Sequence, residues 1–463
     1  MTDPASSAHP ADPANPADPA NPADPANPAS SQVTVPAGAP AHSSSGHSSA
    51  GHSSGGRDTM VIIGAGLAGG TAATTLRSEG FAGPVILVGA EGRVPYLRPP
   101  LSKGFLAGKD SEESLLVNTD AWYADNKVEL ILSDAAVAVD PEAHTVTLAS
   151  GRVLRYAKLL LATGAAPRVI PLPGVELKGV QYFRTHADSV RLHSELAGGG
   201  RHLVLIGSGW IGMEVAATAR ELGNEVTLLG LEEVPLSTAI GAELGRVFAG
   251  RQEEAGVHFR LPASAGALKG DGDGRVSAVV TSTGEALPAD LVVVAVGVVP
   301  NTALAVAAGL TVSNGIVTDA GLRTSAQDIL AAGDVANAFH PVTGVHARSE
   351  HWANAIAGGK TAAKSMLGQD AALAEIPYFY TDQFDLGMEY SGYAALTKDA
   401  ELVIRGSLEK REFIAFWVLA GKVVAGMNVN VWDVQDAIKE LISSARPVDA
   451  GRLADPQISL DAM

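Results

Sequence analysis

The chain has 463 residues, of which 46% are hydrophobic, and its 50 acidic residues outnumber 33 basic ones to give a formal net charge of −17. This length predicts about three domains with a sizeable core, and the acidic balance argues against nonspecific nucleic-acid binding, which depends on basic surfaces. The complete absence of cysteine excludes disulfides, thiolate metal sites, iron–sulfur ligation by the chain itself and every catalytic cysteine mechanism.

Residues 1–57 differ in composition from the rest of the chain. They repeat Ala-Asp-Pro-Ala-Asn-Pro from Ala11 onward and then turn into Ser/His/Gly runs. Frequent prolines remove backbone donors and the other residues are too polar to bury, so we expect a disordered tail. The start lacks the basic and apolar regions of a secretory signal, and no apolar run approaches the ~18–20 residues of a membrane helix. These features favour a cytoplasmic protein without membrane contact.

From Thr59 the pattern predicts an α/β fold. Short apolar runs alternate with alanine-rich stretches of helical length, which is typical of parallel sheets with helices on both faces. The predicted strands are Met60–Ile63, Val85–Val88, Leu203–Ile206 and Val226–Leu229. From about Pro377 we expect an α+β domain with shorter, mixed strands and a final helix near Val434–Ser443. Its predicted strands are Leu402–Arg405, Glu412–Leu419 and Val423–Asn428.

The first glycine loop, residues 64–69, directly follows a predicted strand and opens a helix that runs to about Ser78. Gly64 allows the tight turn, Gly66 lets the backbone approach a pyrophosphate, and Gly69 lets helix and strand pack closely. Leu67 and Ala68 begin the helix, whose positive end favours phosphate. A glycine turn without a ligand is the alternative, but the strand before and the helix after favour a dinucleotide site.

The second glycine loop, residues 207–212, repeats this arrangement. Its predicted ligand-binding residues are Gly207, Gly209, Trp210, Ile211 and Gly212, between the strand Leu203–Ile206 and a helix to about Leu222. A protein that binds two dinucleotides usually moves hydride between them, with a flavin kept bound while a nicotinamide coenzyme exchanges.

A third element assigns the flavin to the first glycine loop. The apolar strand Ile329–Ala332 ends in Gly333-Asp334, where the carboxylate could accept a hydrogen bond from a ribityl hydroxyl, although Gly-Asp is also a common turn. Ala162-Thr163-Gly164 ends another strand in a similar way, where the chain would leave the first domain.

Several segments resemble the oxygenase-coupled NADH-dependent ferredoxin reductase family, and the resemblance covers the chain from Thr59 to its end. Pro95–Lys103 is the most specific of them, and the apoptosis-inducing-factor branch shares part of the pattern. The other matching segments are Ala162–Arg168, Gly297–Asn301, Glu350–Ala355 and Thr381–Gln383.

The resemblance implies a glutathione-reductase-like flavoprotein with two Rossmann-like dinucleotide-binding domains and a C-terminal α+β domain. Residues 58–167 and 299–376 would bind FAD, and the inserted residues 168–298 would bind NADH. Residues 377–463 would form a reductase domain that covers the flavin and helps to receive the protein partner.

The resemblance also implies roles for single residues. Arg98, Pro99 and Lys103 would lie along the isoalloxazine, and Trp352 near the flavin and nicotinamide rings, although it could be an ordinary core aromatic. Lys103 and Glu214 would pair beside flavin N5, the alternative being two surface charges; with Trp352 they are the predicted catalytic residues. The further cofactor contacts implied by the matching segments are Ala162, Thr163, Gly164, Arg168, Gly297 and Glu350. No metal site is predicted.

The chain departs from the family at three places. Gly230 stands where an acidic residue usually binds the coenzyme ribose, so Glu232 is the predicted substitute, with Glu233 beside it. After Val85–Val88 the usual acidic pair is reduced to Ala90-Glu91, which leaves Glu91 as the expected ribose ligand of the first loop, and Tyr380 replaces a tryptophan at the outer flavin edge. Since no Lys, Arg or His lies between Gly230 and Ala242, NADH should be preferred over NADPH by roughly 1.5–3 kcal/mol.

The predicted function is transfer of electrons from NADH through FAD to a small iron–sulfur ferredoxin, serving an oxygenase or cytochrome P450 system. Hydride would pass to flavin N5, and the reduced flavin would return electrons singly. A reductase of quinones and an apoptosis-inducing-factor-like redox signalling protein are the alternatives. The chain is expected to be a monomer or a homodimer.

Overall fold

The computed structural model describes residues 58–463, so the predicted tail, residues 1–57, lies outside the described residues. No helix within residues 58–463 is long and apolar enough to cross a membrane. The described chain is built from short strands, which fall into four groups along the sequence.

The strands of the first group are β1 Met60–Ile63, β2 Val85–Val88, β3 Val128–Ile131, β4 Ala136–Asp140, β5 Thr145–Leu148, β6 Val153–Arg155, β7 Lys158–Leu161 and β8 Ala165–Pro167. Those of the second are β9 Val180–Tyr182, β10 His202–Ile206, β11 Glu225–Leu229, β12 Val257–Arg260, β13 Ala265–Gly270, β14 Val276–Thr281, β15 Ala286–Pro288 and β16 Leu291–Val294. The third group comprises β17 Val298–Pro300, β18 Ile316–Thr318, β19 Ile329–Ala331, β20 Ala336–His340 and β21 Val345–Ala347. The fourth comprises β22 Tyr378–Gln383, β23 Leu386–Gly392, β24 Glu401–Ser407, β25 Glu412–Leu419 and β26 Lys422–Val429.

The α-helices connect and cover these strands. They are α1 Leu67–Ser78, α2 Asp120–Asp125, α3 His186–Leu196, α4 Trp210–Glu221, α5 Ser237–Ile240, α6 Ala242–Glu254, α7 Ala303–Ala307, α8 Trp352–Met366, α9 Gln435–Ser444 and α10 Ala450–Ala454.

The first parallel sheet has the strand order β19-β7-β1-β2-β3. It therefore combines strands from both predicted FAD-binding segments, residues 58–167 and 299–376. Every residue of β1 and β2 is buried, as expected for strands covered on both faces. Helix α8 packs directly on the backbone of α1, because a Cβ at Gly359 would lie 2.6 Å from the carbonyl oxygen of Ala68. This close packing fixes the first glycine loop over the ends of β1 and β7.

The second parallel sheet has the order β12-β11-β10-β16-β9 and is formed entirely by the inserted segment. The chain enters the segment through β8 and leaves it through β17, and these two strands pair with each other in antiparallel fashion. The predicted α/β architecture with two dinucleotide-binding folds is therefore confirmed.

The C-terminal region contains a five-stranded antiparallel sheet of order β22-β23-β26-β25-β24. The expectation that these strands are shorter was wrong, because they have six to eight residues, whereas the predicted bounds of β25, Glu412–Leu419, are confirmed. Both faces of the sheet are buried: Phe413 and Trp417 join the core of the second parallel sheet, whereas Phe416 packs towards Ile438 of α9.

Candidate active site between the two glycine loops

The first glycine loop has the geometry expected of a pyrophosphate-binding turn. Gly64 has φ +118°, and a Cβ there would lie 2.0 Å from the carbonyl oxygen of Ala162. A Cβ at Gly69 would lie 2.0 Å from the carbonyl oxygen of Gly64, whereas a Cβ at Gly66 would meet no atom within 4 Å. Two glycines are thus required by close packing, and the third leaves open space in which a ligand can approach the backbone.

The second glycine loop repeats this geometry at the end of β10. Gly207 has φ +120°, with its Cβ position 2.3 Å from the carbonyl oxygen of Ala295. A Cβ at Gly212 would lie 2.1 Å from the carbonyl oxygen of Gly207, and Gly209 again faces open space. The chain therefore presents two similar sites for the phosphates of a dinucleotide, each at the N-terminus of a helix of 12 residues.

A cavity of about 500 Å³ lies between the first glycine loop and the start of α4. It brings together most of the predicted site residues from both parallel sheets and the start of α8. The predicted residues that line it are Gly64, Gly66, Leu67, Ala68, Glu91, Arg98, Pro99, Lys103, Ala162, Thr163, Gly164, Trp210, Ile211, Glu214, Gly333, Asp334, Glu350 and Trp352.

Other predicted residues lie outside the cavity lining. Four glycines of the glycine loops are among them: Gly69 of the first loop, and Gly207, Gly209 and Gly212 of the second. Arg168 and Gly297 lie in the link between the parallel sheets, where the backbone N–H of Arg168 donates to the carbonyl oxygen of Gly297 at 2.9 Å. Glu232 Oε1 accepts a hydrogen bond from the backbone N–H of Thr238 at 3.1 Å. The cofactor contacts of these residues stay predictions.

The predicted pairing of Lys103 with Glu214 is present in the cavity wall. Lys103 Nζ lies 2.9 Å from Glu214 Oε1, and the side chains are only 13% and 6% exposed. Ser102 Oγ donates to Glu214 Oε2 at 2.5 Å, and Thr381 Oγ1 donates to Oε1 at 2.6 Å. Lys103 also lies over the ring of Tyr380, 5.3 Å from its centroid. The position of this pair beside flavin N5 stays a prediction.

A second ion pair crosses the cavity between the two parallel sheets. Arg184, which follows β9, places Nη2 2.5 Å from Asp334 Oδ2. Its backbone carbonyl accepts a hydrogen bond from Arg98 Nη1 at 2.6 Å, and its Nε is buried without a partner among the described residues. No local sequence pattern indicates Arg184, because its role depends on the approach of two segments that are 150 residues apart.

Glu91 is held at the end of the cavity near β2. Its Oε2 accepts a hydrogen bond from Tyr96 Oη at 2.8 Å, and its Oε1 lies 3.1 Å from Arg98 Nη2. Burial raises the pKa of Tyr96 to about 12, so the phenol stays protonated and donates at neutral pH. A carboxylate fixed in this way is suited to accept hydrogen bonds from ribose hydroxyls, the role predicted for Glu91.

Aromatic side chains close the cavity on the side of α8 and the C-terminal sheet. Trp352 lies edge-on to Tyr380 at 6.1 Å between ring centroids. Its indole Nε1 is buried without a partner among residues 58–463. His351 stacks on Phe379 at 4.3 Å, and burial lowers the pKa of His351 to about 4, so its imidazole is neutral. Sequence reasoning missed His351 and Phe379, because nothing in their local pattern distinguishes them from core residues.

These features fit FAD. The open space above Gly66 can accept the pyrophosphate, and the aromatic wall can accept a flat ring system. Two buried donors, Arg184 Nε and Trp352 Nε1, have no partner among residues 58–463. They can bond ligand atoms, since buried polar groups normally have partners.

Comparisons with known proteins agree with this geometry. Residues 58–359 match the family described as pyridine nucleotide-disulphide oxidoreductase, and residues 378–463 match the reductase C-terminal family. The chain is 36% identical to rhodocoxin reductase of Rhodococcus erythropolis over 405 residues, which cover 87% of this chain and 93% of that protein.

Solved structures give the same result. The ferredoxin reductase for the CYP199A2 system from Rhodopseudomonas palustris superposes with a TM-score of 0.83 at 36% identity, covering 87% of this chain and 99% of that one. The covalent putidaredoxin reductase–putidaredoxin complex gives 0.84 at 33% identity, covering 88% and 98%.

Proposed function

The chain belongs to the pyridine nucleotide-disulphide oxidoreductase family, among its ferredoxin reductases, and from this we propose that it passes electrons from NADH through FAD to a small iron–sulfur ferredoxin. The observation that carries the proposal is the cavity, whose lining comes from the first glycine loop and from the start of the helix after the second. Two dinucleotides bound at these loops would place their reactive rings in one space.

Residues of the first parallel sheet would hold the FAD. The first glycine loop would bind its pyrophosphate, Glu91 its adenosine ribose, and Asp334 or Arg184 the polar chain between phosphate and ring. When bound, FAD accepts a hydride from NADH and returns the two electrons one at a time to one-electron acceptors.

Lys103 and Glu214 supply the charge at the ring. The Lys103 cation stabilises negative charge that develops on a bound flavin, and the Glu214 carboxylate offsets the cost of burying that cation. Ser102 and Thr381 donate to the two oxygens of Glu214 and thereby fix its orientation. Trp352 and Tyr380 exclude water from this end of the cavity.

The acceptor is proposed from the relatives, because the fold does not fix it. A structure of one relative contains a covalently linked putidaredoxin, and another serves a cytochrome P450 system by its name. An oxygenase or cytochrome P450 system is therefore the proposed destination of the electrons. A cysteine-based disulfide or peroxide reductase is excluded, since the sequence contains no cysteine.

We place the reaction in the cytoplasm, where NADH is regenerated. In this proposal, residues 58–167 and 299–376 bind FAD, residues 168–298 bind NADH, and residues 377–463 cover the flavin. The short pair of β8 with β17, which closes off the inserted segment, supports these boundaries.

The purified full chain should be yellow, contain one FAD per chain, and lose its visible absorbance when NADH is added without oxygen. Adding an oxidised [2Fe–2S] ferredoxin should then change the iron–sulfur spectrum at a rate that exceeds quinone reduction. A folded preparation that stays colourless with added FAD would refute the flavoprotein assignment. Quinone turnover without ferredoxin reduction would favour the small-acceptor alternative.

A further inference from the structure

Ser208, within the second glycine loop, and Gly230, directly after β11, compete for the same space. A Cβ at Gly230 would lie 2.3 Å from Ser208 Oγ, 2.7 Å from Ser208 Cβ and 2.9 Å from Leu261 Cδ2. Ser208 is buried, and its Cβ cannot move without moving the loop backbone. While serine occupies position 208, only glycine fits at position 230.

This exclusion removes the usual means of coenzyme recognition. In dinucleotide-binding folds, an acidic residue at the end of the second strand bonds the ribose hydroxyls of NAD and disfavours the 2′-phosphate of NADP. Gly230 occupies that position here. The nearest acid along the chain, Glu232, has one carboxylate oxygen bonded to the backbone N–H of Thr238 at 3.1 Å. Its carboxylate is therefore directed at its own loop.

Ser208 offers a polar group at the same place. Its hydroxyl makes no hydrogen bond within residues 58–463, and its oxygen is not sealed from solvent. The loop around it is anchored, since the backbone carbonyl of Ser208 accepts a hydrogen bond from the N–H of Leu236 at 3.3 Å. A hydroxyl can both donate and accept, so it can bond a ribose hydroxyl in either direction.

The first glycine loop provides an internal comparison. A Cβ at Gly89, which directly follows β2, would lie 2.7 Å from Ala65 Cβ. The distance from the glycine's Cβ position to the neighbouring Cβ is therefore the same in both loops. The Cβ of Ala65 is a methyl group, whereas the Cβ of Ser208 carries a hydroxyl. Two residues after Gly89, the Glu91 carboxylate lines the cavity. The corresponding carboxylate of the second loop, Glu232, is bonded to its own loop instead.

We propose that Ser208 and Gly230 are a mutually exclusive pair that sets coenzyme selectivity. The Ser208 hydroxyl bonds the adenosine ribose, and it excludes the strand-end carboxylate that would otherwise do so. This inference rests on the proposed function, because it takes the second glycine loop as the NADH site. A neutral hydroxyl does not repel a 2′-phosphate, so the chain discriminates against NADPH less than a protein with a carboxylate at this position.

The test titrates oxidised holoenzyme with NAD⁺ and with NADP⁺ by calorimetry, with flavin content and melting temperature checked for each variant. Ser208→Gly should bind NAD⁺ about five-fold more weakly, as expected for one lost hydrogen bond. Gly230→Glu should bind both coenzymes at least ten-fold more weakly. The double variant Ser208→Gly/Gly230→Glu should regain NAD⁺ binding, with an NAD⁺:NADP⁺ affinity ratio at least ten-fold above that of the unmodified chain.

Gly272→Glu is the matched control, because it adds the same charge at an exposed turn where a Cβ would meet no atom within 4 Å; its affinities should be unchanged. Unaltered NAD⁺ affinity in Ser208→Gly would overturn the hydroxyl contact, and normal NAD⁺ binding by Gly230→Glu would overturn the steric exclusion. An unmodified holoenzyme that binds neither NAD⁺ nor NADP⁺ and is not reduced by NADH or NADPH would instead refute the proposed function, and this inference with it.

Discussion

Replacing Lys103 by methionine removes the cation of the buried ion pair but keeps an unbranched side chain of similar length in the cavity wall. Glu214 would then keep its hydrogen bonds from Ser102 and Thr381 but lose its only ion-pair partner among the described residues. The substitution therefore tests whether the positive charge itself, rather than the packing of the side chain, assists reduction of the flavin.

The magnitude follows from burial. At 13% and 6% exposure the pair is poorly screened by solvent, so the small values typical of surface pairs do not apply. Removing one partner of a buried pair costs about 3–5 kcal/mol of stability, and we expect the lower end because two hydroxyl donors remain on Glu214. If about 1.4 kcal/mol of the lost interaction acts on the transition state, flavin reduction slows by roughly ten-fold.

The assay is anaerobic stopped flow at saturating NADH, with flavin absorbance as the signal. Lys103→Arg should retain most of the rate because it keeps the charge, whereas Lys103→Met should reduce flavin at least ten-fold more slowly. Lys109→Met is the matched control: Lys109 Nζ lies 3.0 Å from Glu221 Oε2, but its side chain is 69% exposed, so its loss should leave the rate unchanged. A reduction rate in Lys103→Met equal to that of the unmodified chain would refute the electrostatic role.

Three further predictions concern the tail, His351 and the coenzyme. Deleting residues 1–57 should leave flavin content and NADH oxidation unchanged, because their composition cannot bury a core; loss of FAD on truncation would contradict this. The folded pKa of His351, about 4, lies below the ordinary value, so the stability from its neutral ring is present above pH ~6.5 and is lost as pH falls towards 4. Urea unfolding should show on the order of 2 kcal/mol of this loss by pH 5, and less in His351→Phe, which keeps a ring against Phe379. Steady-state kinetics should give NADH the higher kcat/KM, and the ratio to NADPH should correspond to roughly 1.5–3 kcal/mol of transition-state binding. Equal use of NADPH would show that the acidic residues near Gly230 do not repel its 2′-phosphate.

The glycine loops could be predicted from sequence because their geometry is local. Gly64 and Gly69 are each required by contacts with backbone at the end of a neighbouring strand or within the same turn. The contact at Gly69 and the positive φ of Gly64 belong to one strand, turn and helix, whose spacing the sequence contains directly. The contact of Gly64 with Ala162 is long-range, and the prediction did not need it.

Arg184 could not be predicted in the same way. It meets Asp334 only because the second parallel sheet is inserted between two parts of the first, and no spacing rule connects the two positions. The C-terminal strands were predicted unevenly. β25 has the predicted bounds, Glu412–Leu419, because a continuous apolar run marks a strand that is buried on both faces. β24 runs from Glu401 to Ser407, beyond the predicted Leu402–Arg405, because the residues at its ends are polar or glycine and carry no apolar pattern.

The same tertiary dependence explains the ion pair at the centre of the site. Lys103 comes from the first group of strands and their loops, Glu214 from α4 of the inserted segment, and Thr381 from β22 of the C-terminal sheet. The first of these parts also supplies Ser102, so the buried carboxylate of Glu214 has a cation and two hydroxyl donors. A buried carboxylate is costly without such partners, so the burial of Glu214 is compensated only when all three parts of the chain are docked. The charge at the cavity wall is therefore complete only in the assembled protein, where the C-terminal sheet also supplies Phe379 and Tyr380, two of the aromatic residues that close the cavity.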